Sequence, residues 1–270
     1  MKSSQPASRN SAFTLVEILV TVAIVSVLAA GVLGIYKRLV TAARKARSTE
    51  NLHMLAVANQ SYAAEHEGYY CPAQDRRNRT RWHGGRARGS GPFDPQKGFL
   101  SPYLGDSGHV EMCPEFVALV RKQKQQGSFE VNSGGYGYNA SYVGGTVMNA
   151  YEGATTTQVR NPSTTVMFTT TALAKDDALQ EYPFSEPYQA VSRNGQGSGL
   201  QPSTHFRFDG KALVAWCDGH VTQEIPSTMD GPNYYGGDNA ANLVGWFGPR
   251  EDNGFWNPDS PAANGEPSSE

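Results

Sequence analysis

Residues 13–36 read FTLVEILVTVAIVSVLAAGVLGIY. The run holds no proline and one charged side chain, Glu17. As a helix it would be about 36 Å long at the usual helical rise. A hydrocarbon core is about 30 Å thick, so the run is long enough to span one. A carboxylate inside such a helix is costly and usually marks function. Ahead of the run stand residues 1–12, short and polar, with Lys2 and Arg9 as their only charges. Three fates fit: a secretory signal cut near Ala29-Ala30-Gly31, an uncut anchor, or a segment cut in front of the apolar run. Cleavage between Ala12 and Phe13 would make Glu17 the fifth residue of the mature chain. It would also create an α-amine at Phe13 that needs a counter-charge. Glu17 of a neighbouring copy can supply it, and the pair would set the axial register of an assembly. The bland alternative is a Glu17 that lies at the membrane interface and reaches the headgroups.

Ala12-Phe13-Thr14-Leu15-Val16-Glu17 resembles the processing and methylation motif of type IV pilins and type II secretion pseudopilins. The resemblance implies that a prepilin peptidase cuts before Phe13 and methylates its amine, and that Phe13 and Glu17 serve assembly. The family usually carries Gly before the cut; Ala12 departs from it as another small residue. Lys37, Arg38, Arg44, Lys45 and Arg47 follow the span. The positive-inside rule assigns them to the cytoplasm, and the family topology assigns them outside. The family topology is preferred because it also accounts for Glu17 and the short leader. The bland reading of this basic run is a solvated helix face.

The helical pattern continues past Tyr36 through Leu39, Val40, Ala43, Ala46, Leu52, Leu55, Ala56, Asn59, Tyr62 and Ala63. Gly68 then reads as a stop, with Pro72 beyond it. One helix is therefore expected from about Phe13 to about Glu67, apolar all round in its first half and amphipathic in its second.

Gly and Pro are plentiful and net charge is -2. This suits a loop-rich, strand-rich body and gives no global case for nucleic acid. Residues 75–98, DRRNRTRWHGGRARGSGPFDPQKG, read as a long exposed loop. Residues 134–143 suggest a turn entering a strand, and 158–171 a loop followed by a strand. In 205–225, HFRFDGKALVAWCDGHVTQEI, two Asp-Gly turns flank KALVAWC. Both faces of that stretch are apolar, so it reads as a central antiparallel strand, covered by the helix on one side and by loops on the other.

This segment, with GYGYN at 135–139 and NPSTTVMF at 161–168, resembles a second signature, the C-terminal His-x9-Asp-Gly domain of some bacterial pilin-like proteins. Its residues here are His205, Asp218, Gly219 and His220. Twelve residues separate His205 from Asp218 instead of nine. A hairpin at Asp209-Gly210 would absorb the excess.

Cys71, Cys113 and Cys217 are too few for a disulfide scaffold. Cys71 with Cys113 is the candidate pair, since both lie beside proline in loop-like sequence. His205, Asp218 and His220, or His109 with Cys113, are of the residue types that ligate metal. Asp in a tight turn more often bonds its own backbone, so no metal and no cofactor is assigned. No phosphate loop, triad or carboxylate pair stands out.

The sequence reads as α+β and pilin-like, with a long N-terminal helix on an antiparallel sheet. It divides the chain into a leader (1–12), a transmembrane half-helix (13–36), an amphipathic half-helix (37–67), a body (68–250) and a flexible tail (251–270). The function is structural, not enzymatic: a subunit of a type IV pilus-like or type II secretion pseudopilus filament. Its partners are prepilin peptidase, other pilin-like subunits, the assembly platform with its ATPase, and the inner membrane, with a periplasmic body before assembly. The alternatives are a periplasmic binding module on an uncut anchor and a secreted hydrolase with a cleaved signal.

Overall fold

The computed structural model describes residues 14–88, 91–123, 130–145, 151–190 and 199–264, and side chains at 32–34 and 37 are outside the description. The leader, Ala12 and Phe13 lie outside the described residues.

Helix α1 runs Leu15–Glu65. The chain divides into two compact units, Met1–Ala43 and Arg44–Glu270. In the first unit the large apolar side chains from Leu15 to Leu28 are exposed, Leu15 by 78%. Side chains are described without a break from Leu15 to Gly31, about 26 Å of helix. Among the described residues no helix is long and apolar enough to cross a membrane.

In the second unit α1 is amphipathic as its period predicts. Ser48, Asn51, Leu52, Leu55, Ala56, Asn59 and Ala63 are buried at three- and four-residue spacing. Gly68, at φ 85°, donates its N–H to the Ala63 carbonyl at 2.9 Å and ends the helix.

The remaining elements are β1 (Thr80–Arg81), β2 (Gly84–Gly85), α2 (Pro114–Val120), β3 (Tyr136–Tyr138), β4 (Val166–Thr170), β5 (Leu173–Lys175), β6 (Ala178–Gln180), β7 (Thr204–His205), β8 (Ala212–Trp216), β9 (Val221–Glu224) and β10 (Val244–Gly245). The main sheet has the antiparallel order β3-β4-β8-β9. The expected central strand is β8. Leu213, Ala215 and Cys217 join the core that holds Leu52, Leu55 and Ala56 of α1. Ala212, Val214 and Trp216 join a second core with Phe206, Trp246, Phe247 and Trp256, built largely from loops. Two amide donors on the buried helix face are taken up by the sheet. Asn51 Nδ2 donates to the Tyr136 hydroxyl at 3.0 Å, and Asn59 Nδ2 to the Tyr138 hydroxyl at 3.0 Å. Buried amides matched in this way fix the helix on the strands without the cost of orphaned donors.

Three expectations need correction. The Arg-rich segment 75–98 is not an exposed loop. Its residues 80–85 form the β1–β2 hairpin, and Trp82 is fully buried with its Nε1 donating to the Pro183 carbonyl at 2.8 Å. Arg81 pairs with Glu130 and lies over the rings of Phe93 and Phe184. His83 is buried, and burial together with the Arg81 charge pushes its pKa down to about 3. One charge that reads as solvated, Arg81, thus has its partner far along the chain.

The tail is likewise packed up to Asn264. Trp256 is fully buried, its Nε1 donates to Ser185 Oγ at 3.0 Å, and Ser260 Oγ donates to the Gly254 carbonyl at 2.6 Å.

The third correction is the disulfide. Cys71, Cys113 and Cys217 are free, buried thiols. Cys113 Sγ touches Ser48 Oγ at 3.2 Å, while Cys71 donates its backbone N–H to Asn59 Oδ1 at 2.8 Å. Those helix partners lie about 16 Å apart along the axis of α1. A disulfide needs Cα atoms within ~7 Å, so Cys71 and Cys113 belong to different parts of the helix–sheet interface.

Candidate functional site

The first candidate site is the start of α1. Thr14 precedes the first helical residue, Leu15. Its backbone N–H and hydroxyl both donate to Glu17 Oε2, at 2.9 and 2.8 Å. In return Glu17 N–H donates to Thr14 Oγ1 at 3.3 Å. This is a capping box, the reciprocal arrangement that Thr-x-x-Glu makes before an apolar run. Sequence reasoning had the signal, Thr14 with Glu17 three residues on, and passed over it in favour of an intermolecular role alone. Both Thr14 bonds use Oε2. Among the described residues Oε1 has no donor, so one carboxylate can cap its own helix and still receive a cation. The hydroxyls that follow are satisfied within the helix. Thr21 Oγ1 donates to the Glu17 and Ile18 carbonyls at 2.9 and 2.8 Å, and Ser26 Oγ to the Val22 carbonyl at 2.7 Å. Internally bonded hydroxyls suit a helix whose surroundings offer no water.

The second candidate is the β8–β9 turn with Asp218, Gly219 and His220. Gly219 N–H donates to the Trp216 carbonyl at 2.9 Å, and Trp216 N–H to the His220 carbonyl at 3.0 Å. Only Gly219 has a positive φ there, 95°. Asp-Gly in a hairpin suits a two-residue turn with both residues left-handed, but the loop here has three residues, with Gly219 at the bulge position. The two-residue form occurs instead at Asp209-Gly210, with φ of 53° and 76°. Asp218 Oδ1 accepts from His220 N–H at 3.1 Å and from His220 Nδ1 at 2.6 Å.

The turn is docked on α1. His53 Nδ1 donates to the Gly219 carbonyl at 2.8 Å, and Gln60 Nε2 to the Cys217 carbonyl at 2.9 Å. His53 and Gln60 were missed from sequence, where a polar residue on a helix face has no visible acceptor.

His205 does not join this group. It lies on β7, whose partner is β10, and it is buried with Nδ1 lacking a partner. Burial and the nearby Arg207 hold its pKa well below the usual histidine range, so it is neutral. Arg207 is itself buried, donating to the Gly135 and Thr171 carbonyls at 3.1 and 2.6 Å. Among the described residues no three His, Cys, Asp or Glu side chains gather as a metal site.

A structural role for the turn makes a specific forecast. Gly219→Val is expected to cost about 1–3 kcal/mol through a left-handed backbone that a β-branched residue resists. A Cβ there would meet Gln60 no closer than 3.4 Å, so the loss comes from the backbone and not from a clash. Asp218→Asn keeps the acceptor for the His220 N–H and should be mild. Melting temperatures of the two variants check this, and a large drop for Asp218→Asn would point to a ligand role instead.

Residues 7–33 match the family described as the prokaryotic N-terminal methylation motif. The matched segment contains Ala12, Phe13, Thr14 and Glu17 and the first part of the apolar run. It marks the chain as a prepilin-like substrate of prepilin peptidase. No curated protein and no solved structure matches the chain.

Proposed function

We propose that the chain is a subunit of a type IV pilus-like or type II secretion pseudopilus filament. The observation that carries this reading is the methylation motif at residues 7–33, joined to an uninterrupted helix from Leu15. The proposed sequence of events starts with the apolar run 13–36 held in the inner membrane and the body outside. Prepilin peptidase cuts between Ala12 and Phe13 and methylates the new amine. The subunit then leaves the bilayer into a filament whose core is made of the apolar half-helices, driven by a separate platform and ATPase.

Chemistry supports each step. A helix apolar all round in its first part needs either lipid or other copies to cover it. A new α-amine in that setting requires a carboxylate, and Glu17 presents one oxygen not used in its own capping box. The body holds no assigned catalytic group, and its role here is to shape the outer surface of the filament.

The test is the N-terminal peptide of the protein from cells with an active prepilin peptidase. Mass spectrometry is expected to show N-methylated phenylalanine at Phe13. An intact Met1, or a start near Gly31, would replace the proposal with an uncut anchor or a cleaved secretory signal.

A further inference from the structure

The β5–β6 hairpin is followed by a stretch, Tyr182 to Glu186, that forms one wall of a cleft of about 340 Å3. The cleft is lined by Leu173, Tyr182, Glu186, Leu200, Tyr234 and Tyr235, together with Gly199, Gln201 and Pro202. That volume is at the small end of ligand pockets and suits a side chain or a small amine. Among the described residues of this lining Glu186 is the one charged group.

Glu186 is positioned from three sides. Its N–H donates to Ser203 Oγ at 2.9 Å, its carbonyl accepts from Trp246 Nε1 at 3.1 Å, and its Oε1 accepts from the Tyr182 hydroxyl at 2.8 Å. Among the described residues no Lys, Arg or His pairs with it, and no donor reaches Oε2. Burial raises its pKa above the usual carboxylate range. A half-buried carboxylate so held, with one oxygen lacking a donor among the described residues, gains from a cation that enters the cleft.

The loop with Tyr234 and Tyr235, also in the lining, is braced as well. Asn233 Nδ2 donates to the Ala174 carbonyl at 2.8 Å, and its Oδ1 accepts the Tyr235 N–H at 2.9 Å. This loop carries Tyr234 and Tyr235, whose rings meet edge to face at 5.6 Å, and Tyr234 is 88% exposed. Tyrosine faces attract cations, and apolar neighbours such as Leu173 and Leu200 suit an alkyl stem.

We propose that this cleft binds an alkylammonium group, with Glu186 as its counter-ion. An ammonium fits better than a guanidinium. A guanidinium is favoured where both carboxylate oxygens can take its fork, and here Tyr182 occupies one of them. An ammonium is a point charge that needs only the free oxygen. The group can come from a lysine of a neighbouring protein or from a free amine. The proposal is independent of the filament reading, because every residue it uses lies in the second unit.

Calorimetric titration of the full chain in a non-ionic detergent tests it with three probes. These are n-butylamine, a short peptide with one lysine, and the same peptide acetylated at the lysine Nε. One saturable site for butylamine and for the lysine peptide is expected, with none for the acetylated peptide. Glu186→Gln should weaken binding at least about tenfold with an unchanged Tm, since Gln still accepts from Tyr182. Tyr234→Ala, an exposed position, should weaken it severalfold. A lysine peptide that binds more tightly than butylamine identifies a protein source, and the reverse order a free amine. Absence of butylamine binding at about 10 mM overturns the proposal. So does equal affinity in Glu186→Gln. If that variant unfolds, unchanged affinity in Tyr234→Ala overturns it.

Discussion

Glu17→Gln is expected to leave synthesis, folding and the start of α1 intact and to cut filament yield by at least roughly tenfold, the scale of losing a desolvated charge pair. Glutamine serves the third helical position of a capping box as glutamate does. It can still accept from Thr14, whose N–H and hydroxyl reach Oε2 at 2.9 and 2.8 Å. What it cannot do is neutralise an α-amine at Phe13. Glu17→Ala removes both functions and should assemble no better. The measurement is sheared or pelleted filament from cells expressing each variant, with total protein and N-terminal processing followed in parallel. Gln at full yield and Ala at low yield would assign Glu17 to helix capping alone. Normal yield from both would end any assembly role for it.

Trp82→Ala is expected to destabilise the body by about 3–5 kcal/mol, the usual range for emptying a fully buried large aromatic site. Trp82 has no exposed surface and meets Phe168 of the main sheet edge-on at 5.3 Å, with Tyr138 at 6.5 Å and His83 at 5.0 Å. Its loss also strips the Pro183 carbonyl of the indole donor at 2.8 Å, which adds the cost of an unmet buried acceptor. Denaturant unfolding of the purified chain, read by circular dichroism, checks it. A change under about 1 kcal/mol is the usual result at an exposed position and would return residues 75–98 to the solvated loop expected from their composition.

The contrast between two identical dipeptides shows where sequence reading stopped. Asp209-Gly210 and Asp218-Gly219 are the same local signal, and both sit in hairpin turns. The first closes a two-residue loop with both residues left-handed, and the second a three-residue loop with Gly219 alone left-handed. The difference comes from pairing. Ala215 faces Val221 across β8 and β9, and Trp216 and His220 are bonded on one side, which leaves three residues to close the gap. Turn chemistry predicted that the chain reverses there; strand register decided how.

Local and periodic signals in the sequence carry the main helix and the central strand. The apolar run and its continuing helical period specify α1, and Gly68 ends it three residues after Glu65. Alternation with two apolar faces specifies β8 as a covered central strand. The motif at residues 7–33 marks the chain as a prepilin-like substrate, because a peptidase reads contiguous residues. The other features depend on packing between distant segments. Arg81 and Trp82 look solvent-seeking beside their neighbours, but they are buried because Glu130, Phe93 and Pro183 come to them from distant loops. Residues 251–264 look like a polar tail, yet Trp256 fills a core whose other walls begin with Val166 and Tyr188. Cys71 and Cys113 share a sequence context and differ in which turn of α1 they meet. The cleft at Glu186 gathers side chains from four separated stretches. A partner brought by a long chain reversal leaves no mark on the residues next to it in sequence, so burial, pairing and cavity formation at these positions are legible only once the fold has closed.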